Sequence, residues 1–171
     1  MNLDRALDIP GFMSTAELKQ LSRWASEHAT IVEIGSFMGR STRALADNTP
    51  GRVIAVDDFV GLRERNDNPA QDSIREAFRA NLADHLATGK VVMNEADHAQ
   101  SAPTDCDMCF IDGSHDYISV SRDIAKWRTV TKGLLCGHDF DVAHSDVMFA
   151  VDELLPGYRV IPNTTLWYVV V

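Results

Sequence analysis

The stretch Thr30–Leu45, TIVEIGSFMGRSTRAL, decides the fold. A short apolar run carries an acid, Glu33, and ends at Gly35; Gly39 follows, and a helix-like segment starts at once. β-Branched residues in such a run favour a strand, and the glycines mark the turn that folds the chain back into a helix. The turn does not read as a phosphate cradle. A G-x-G-x-x-G fingerprint starting at Gly35 would need glycine where Phe37 and Arg40 stand, and the Gly-Lys-Ser/Thr of a nucleoside-triphosphate loop is missing as well. What remains is G-x-x-x-G behind a carboxylate. Glu33 would repel a phosphate but suits an ammonium, whereas a helix start at Ser41 and Thr42 suits a carboxylate through its dipole.

Working outward, strand-like and helix-like segments alternate. Ser14 and Glu17 form a capping box for a first helix, whose Leu18, Leu21, Ala25 and His28 keep helical spacing. RVIAVDDF, KVVMNEA, CDMCFID and GLLCGHDF read as further strands. QDSIREAFRANLADHL reads as one helix, because Ile74, Phe78, Leu82 and Leu86 recur every four residues. YISVSRDIAKWRTV and DVMFAVDELL are the remaining helices, the second ended by Pro156-Gly157. GLRERNDNPA is polar and reads as a long surface loop. YRVIP and TLWYVVV close the chain as a hairpin around Asn163. Alternation of this kind specifies an α/β, Rossmann-like, doubly wound fold. The expected sheet is seven-stranded and mostly parallel, with an antiparallel C-terminal hairpin. Residues 1–171 are expected to form one domain, with 1–29 as an N-terminal helical segment.

Composition narrows the function classes. The chain has 171 residues, a formal net charge of −9 and a hydrophobic fraction of 45%. So acidic a chain argues against binding driven by phosphate contacts, and nucleic acid is disfavoured as a partner. No apolar run reaches membrane-spanning length, and MNLDRALDIPGF lacks the apolar core of a signal peptide; a cytoplasmic location is expected. Cys106-x-x-Cys109 resembles a metal or redox pair, but residues three apart on a strand point to opposite faces, so buried thiols are expected instead.

Ligands in such sheets sit beyond the carboxyl ends of the strands. Those ends offer Glu33 and Gly35, Asp57 and Asp58, Asp97 and His98, Asp112, Gly113 and His115, and finally His138 and Asp139. Asp57 falls 24 residues after Glu33, at the end of the next strand, where a carboxylate can accept both hydroxyl protons of a ribose. A ligand that combines ammonium, carboxylate and ribose is S-adenosylmethionine.

Taken in order, VEIGSFMGRST, AVDDFVG, EADHAQSA, FIDGSHDY, KGLLCGHDF and TTLWYVVV resemble the motifs of class I S-adenosylmethionine-dependent methyltransferases. The likeness is to the small bacterial branch with sugar and macrolide O-methyltransferases. It implies that Glu33 holds the methionine amino group, that Gly35, Ser36 and Gly39 line the cofactor, and that Ser41 meets its carboxylate. Asp57 would hold the ribose, Asp58 or Phe59 would flank the adenine, Asp97 would read its edge, and Asp112 would sit near the methionine moiety. Many relatives bind a divalent ion at positions that correspond here to Asp112, His138 and Asp139. An imidazole in that set departs from the oxygen-only preference of Mg²⁺ and favours Mn²⁺, Zn²⁺ or Fe²⁺. Without a metal, His115 or His138 would serve as general base; with Asp139 these are the candidate catalytic residues.

Each feature also has a plainer reading. Glu33 could pair with an arginine, Asp112-Gly113 could be an ordinary turn, and His138-Asp139 could be no more than a hydrogen-bonded pair. Trp24, Trp127 and Trp167 read as core or interface, and His28, His85 and His144 as surface or packing. The expected activity is methylation of a small-molecule or sugar hydroxyl, metal-assisted where the ion binds. A catalytically degenerate cofactor-binding domain or subunit is the alternative, and a nicotinamide-dependent oxidoreductase a more distant one. No substrate-recognition domain is evident, so either the acceptor is small or a second subunit, as in a homo-oligomer, completes the pocket.

Overall fold

The computed structural model describes residues 1–60, 71–98 and 100–171. The elements run α1 (Asp4–Asp8), α2 (Thr15–Ser26), β1 (Thr30–Ile34), α3 (Arg40–Asn48), β2 (Arg52–Asp57), α4 (Gln71–Asn81), α5 (Ala83–Thr88), β3 (Val91–Glu95), β4 (Cys106–Ile111), α6 (Tyr117–Trp127), β5 (Thr131–Gly137), a 3₁₀ turn (Val142–His144), α7 (Ser145–Leu154), β6 (Arg159–Val160) and β7 (Trp167–Val170). They build a seven-stranded sheet in the order β3-β2-β1-β4-β5-β7-β6. Strands β1 to β5 pair in parallel, and β7 runs antiparallel to both β5 and β6. This is the Rossmann-like arrangement that the alternating pattern specifies. The strand order reverses between β1 and β4, where the two crossovers leave in opposite directions and a crevice opens beyond the strand ends.

Two apolar layers cover the sheet. Leu18, Leu21, Leu45, Phe78 and Leu82 pack with Ile31, Val53 and Phe110 on one face. Val120, Ile124, Trp127, Val147 and Val151 pack with Val32, Ile34, Cys109 and Leu135 on the other. Because both faces are covered, the central strands are buried nearly throughout and β1 reads as a continuous apolar run rather than an alternating one. The capping box holds as expected: the Ser14 hydroxyl accepts from Glu17 N, and Glu17 Oε2 accepts from Ser14 N at 2.8 Å.

Two local readings are corrected. The helix expected from residue 71 to 86 breaks at Leu82, which caps α5 with a non-helical backbone while its side chain stays in the core. Every-fourth-residue spacing survives the break, so periodicity alone cannot reveal it. Cys106 and Cys109 lie in the same layer, not on opposite faces; the β4–β5 pairing is irregular beside Cys106, at the first residues of the strand. All three cysteines are nonetheless buried free thiols, with Cys136 in the opposite layer. α1 and the 3₁₀ turn at Val142–His144 are additions; each is too short for a periodic signal. The polar segment 61–70 lies outside the described residues. No helix among the described residues is long and apolar enough to cross a membrane.

Candidate active site

The turn after β1 is held from below and beside. Gly35 adopts φ +86°, and a Cβ there would run into the Asp112 carbonyl at the end of β4. Glycine therefore allows the close approach in which Asp112 N donates to Ile34 O at 2.7 Å. The Asp57 carboxylate, at the end of β2, accepts from Ser36 N at 2.6 Å, Phe37 N at 2.8 Å and Phe59 N at 2.5 Å. It fixes the turn, including Phe37 in its left-handed conformation at φ 46°, and it still borders the crevice. Gly39 caps α3 at φ +90° and faces Leu82 and Phe78, away from the crevice.

Glu33 lies beneath this turn and is fully buried. Its Oε2 accepts from the Ser36 hydroxyl at 2.8 Å and from the Thr42 hydroxyl, while Oε1 has no hydrogen-bond partner among the described residues. Burial pushes its carboxyl up to about 7, against the opposing hydrogen bonds of Ser41, Thr42 and Ser36. So Glu33 supports the turn from inside rather than lining the crevice, with one acceptor oxygen unsatisfied.

The crevice is a cavity of about 750 Å³ bordered by Gly35, Ser36, Ser41, Asp57, Asp58, Asp97, Asp112, His115, His138 and Asp139. The volume falls in the range of small-molecule sites. Seven of the eight acids and histidines read as site residues thus border the cavity; Glu33 does not. The lining also includes Phe12, Arg40, Arg122 and His144, none of which the sequence reading placed at the site. Phe12 packs against Phe37 with ring centroids 5.7 Å apart, and Arg40 ties the N-terminal segment down through the Ile9 carbonyl at 2.7 Å. His144, expected as surface or packing, instead faces His115 with ring centroids 4.6 Å apart. Only the 3₁₀ turn places it there, and nothing periodic in the sequence signals that turn.

An ionic cluster forms the floor on the β5 side. His138 Nδ1 lies 3.0 Å from Asp139 Oδ1 and 3.6 Å from Asp112 Oδ1, and its Nε2 lies 3.3 Å from Glu17 Oε1. Burial opposes charge on His138, but Asp112, Asp139 and Glu17 together push it up to about 11. Burial, with Asp139 and Glu33 nearby, pushes Asp112 up to about 8, against the pull of His138. Asp139 is buried too, yet His115 and His138 hold it well below the usual carboxylate range. Glu17 is held low in the same way by His138 and the Thr165 backbone. Glu17 thus caps α2 through one oxygen and anchors Thr165 and His138 through the other. Asp139 has φ 62°, a conformation sustained by Thr165, whose hydroxyl accepts from Asp139 N at 3.2 Å. That conformation turns its carboxylate so that Oδ2 meets His115 Nε2 at 3.0 Å. Behind the cluster, Trp167 packs where a Cβ on Gly137 would stand, and its Nε1 donates to the His138 carbonyl at 3.1 Å.

A doubly wound sheet with acids around a glycine turn, and no phosphate cradle, defines a class I S-adenosylmethionine-dependent methyltransferase. A family model described as a methyltransferase domain matches residues 32–156, and the chain belongs to that family. No curated protein matches the chain by sequence. Among solved structures, it is similar to a SAM-dependent O-methyltransferase from Thermotoga maritima at 13% identity and TM-score 0.71, over 98% of this chain and 70% of that one. It is also similar to CalS11, a TDP-rhamnose 3'-O-methyltransferase of calicheamicin biosynthesis, at 17% identity and TM-score 0.66, over 91% and 77% of the two chains. A cofactor-bound protein from MTB aligns at 17% identity and TM-score 0.69, over 99% of this chain and 87% of that one. At these identities the likenesses establish the shared fold.

Proposed function

We propose that the protein methylates a hydroxyl oxygen of a small molecule, a sugar among the candidates, and that His115 takes the acceptor proton. The observation that carries this reading is the His115–Asp139 pair at the cavity wall, 3.0 Å apart. A hydroxyl oxygen must give up its proton as it attacks, so a carboxylate-oriented imidazole beside the cavity fits an oxygen acceptor. Asp139 orients the ring and stabilises the imidazolium that forms. The two structural neighbours described as O-methyltransferases support the same choice of acceptor atom.

The residues fit S-adenosylmethionine, which when bound supplies a methyl group already activated on a sulfonium. Gly35 leaves the turn open, Ser36 and Ser41 border the cavity, and Asp57 and Asp58 stand where ribose hydroxyls would find acceptors. Asp97 also borders the cavity and is the acceptor assigned to the adenine edge in this reading. Asp57, Asp58 and Asp97 put further carboxyl groups on the cavity wall, which suits a cationic donor. The protein's share of the reaction is then positioning the acceptor, accepting its proton and excluding water.

Asp112, His138 and Asp139 also fit a divalent ion. Their ligating atoms lie within 4.8 Å of one another, and Glu17 stands behind the second ring nitrogen of His138, as the outer carboxylate of a metal-bound imidazole does. An ion there would supply Lewis acidity toward the acceptor oxygen.

The test is calorimetric titration with S-adenosylmethionine followed by turnover with a panel of hydroxyl acceptors. Micromolar binding with formation of a methyl ether is expected. Binding with methylation confined to amine acceptors would overturn the oxygen assignment. Full turnover after exhaustive chelation would remove the ion from the mechanism and leave His115 in place.

A further inference from the structure

We infer that His115, Asp139 and His144 form a second cation site at the cavity mouth, one that takes a borderline divalent ion such as Zn²⁺ or Co²⁺. The three come from separate segments: the loop after β4, the end of β5 and the 3₁₀ turn. One ligating atom from each lies within 4.8 Å of the others. His115 Nε2 is already 3.0 Å from Asp139 Oδ2, and His144 Nδ1 is 3.7 Å from Asp139 Oδ1. Donors around a tetrahedral zinc with bonds of about 2.0–2.1 Å stand roughly 3.3–3.5 Å apart, so small side-chain rotations close the set.

Two features favour an ion over a chance cluster. Two imidazoles and one carboxylate make a donor set that prefers Zn²⁺, Co²⁺ or Fe²⁺ to Mg²⁺. His144 Nδ1 also lies 3.1 Å from Asp141 Oδ1, a contact that an ion bound at this nitrogen displaces. Finally, the side chains of His115, Asp139 and His144 are 23%, 14% and 31% exposed, so an ion can enter from solvent and keep open positions toward the cavity. This set differs from Asp112, His138 and Asp139 in both of its histidines and shares only Asp139.

Occupancy has a consequence that rests on the reading of His115 as base. An ion that takes the ring-nitrogen lone pair of His115 leaves none for the acceptor proton, so Zn²⁺ at this site inhibits methyl transfer.

The experiment titrates Co²⁺ into chelator-stripped protein and follows the visible ligand-field band, which needs neither cofactor nor acceptor. Asp112→Asn, which removes a ligand of the Asp112, His138 and Asp139 set, is expected to retain an imidazole-type band, and His144→Ala to bind Co²⁺ at that band more than about tenfold more weakly. His144 is the most exposed of the three, so its removal leaves the fold intact. In parallel, Zn²⁺ inhibition is measured against each protein's own uninhibited rate, and His144→Ala should need more than about tenfold more Zn²⁺. Wild-type Co²⁺ affinity and spectrum in His144→Ala would overturn the site, as would loss of the band in Asp112→Asn alone. An intact band response without detectable turnover upholds the site and counts only against the proposed activity.

Discussion

Glu33→Gln isolates the charge that burial perturbs beneath the glycine turn. The wild-type carboxyl is fully buried, with Oε1 unsatisfied among the described residues, and burial lifts it from 4.5 to about 7. Its folded-state value lies above its unfolded one, so the fold prefers the neutral acid. The associated stability is complete below about pH 4.5 and is lost as pH rises through about 7. The gap corresponds to ~3 kcal/mol, most of it falling between about pH 5 and pH 8. Glutamine copies the neutral acid: its oxygen can accept from Ser36 and Thr42, and its amide nitrogen takes the place of the protonated oxygen. Thermal and urea unfolding should show the two proteins nearly equal at about pH 5, with the variant ahead by about 2–3 kcal/mol at about pH 8. For a chain of this size that is roughly 4–10 °C in Tm. Stability curves that run parallel from acid to mild alkali would refute the reasoning, because they would mean that the buried carboxyl titrates alike in both states.

Asp57→Asn replaces a carboxylate that accepts three backbone N–H groups with an amide that presents donors to some of them. It should cost about 2–3 kcal/mol by denaturant titration and weaken S-adenosylmethionine binding at least about tenfold by calorimetry. His115→Gln should lower kcat by about 10²–10⁴ while leaving cofactor affinity, read by calorimetry, within a factor of about three; loss of both together would argue for a structural role. Arg43, buried between Asp47 at 2.9 Å and Asp84 at 2.6 Å, is the main ionic tie between α3 and α5. Arg43→Met should destabilise by about 1–3 kcal/mol, because the buried Asp47 carboxylate then keeps only His85, at 2.6 Å, of these two partners, and equilibrium unfolding measures this directly.

The sequence carried the architecture because two signals agreed at each step. Around Thr30–Leu45, β-branched residues, a glycine and a helix start fall in one line, and the same grammar recurs at Val53, Met108 and Leu134. The capping box at Ser14 and Glu17 was legible for the same reason: it is a local interaction. The second use of Glu17 was not, since its partners Thr165 and His138 arrive from the far end of the chain. His144 was missed because a 3₁₀ turn has no periodicity, and its neighbours His115 and Asp139 become neighbours only through tertiary folding. Glu33 stands out in the sequence as an acid in an apolar run. Its depth beneath the turn depends on Gly35 meeting Asp112, a contact between strands that no single segment encodes. The cysteine pair departs from simple alternation where the β4–β5 pairing is irregular beside Cys106, a feature that no spacing in the sequence signals.

The three thiols have a use that their burial creates. Cys106, Cys109 and Cys136 are free and enclosed, and burial pushes each away from the reactive thiolate form. Alkylating reagents therefore find nothing to attack until the molecule opens. Cys109 and Cys136 sit on adjacent strands but face opposite helical layers. The order in which they acquire label is consequently a native stopwatch, showing which blanket of helices lifts from the sheet first.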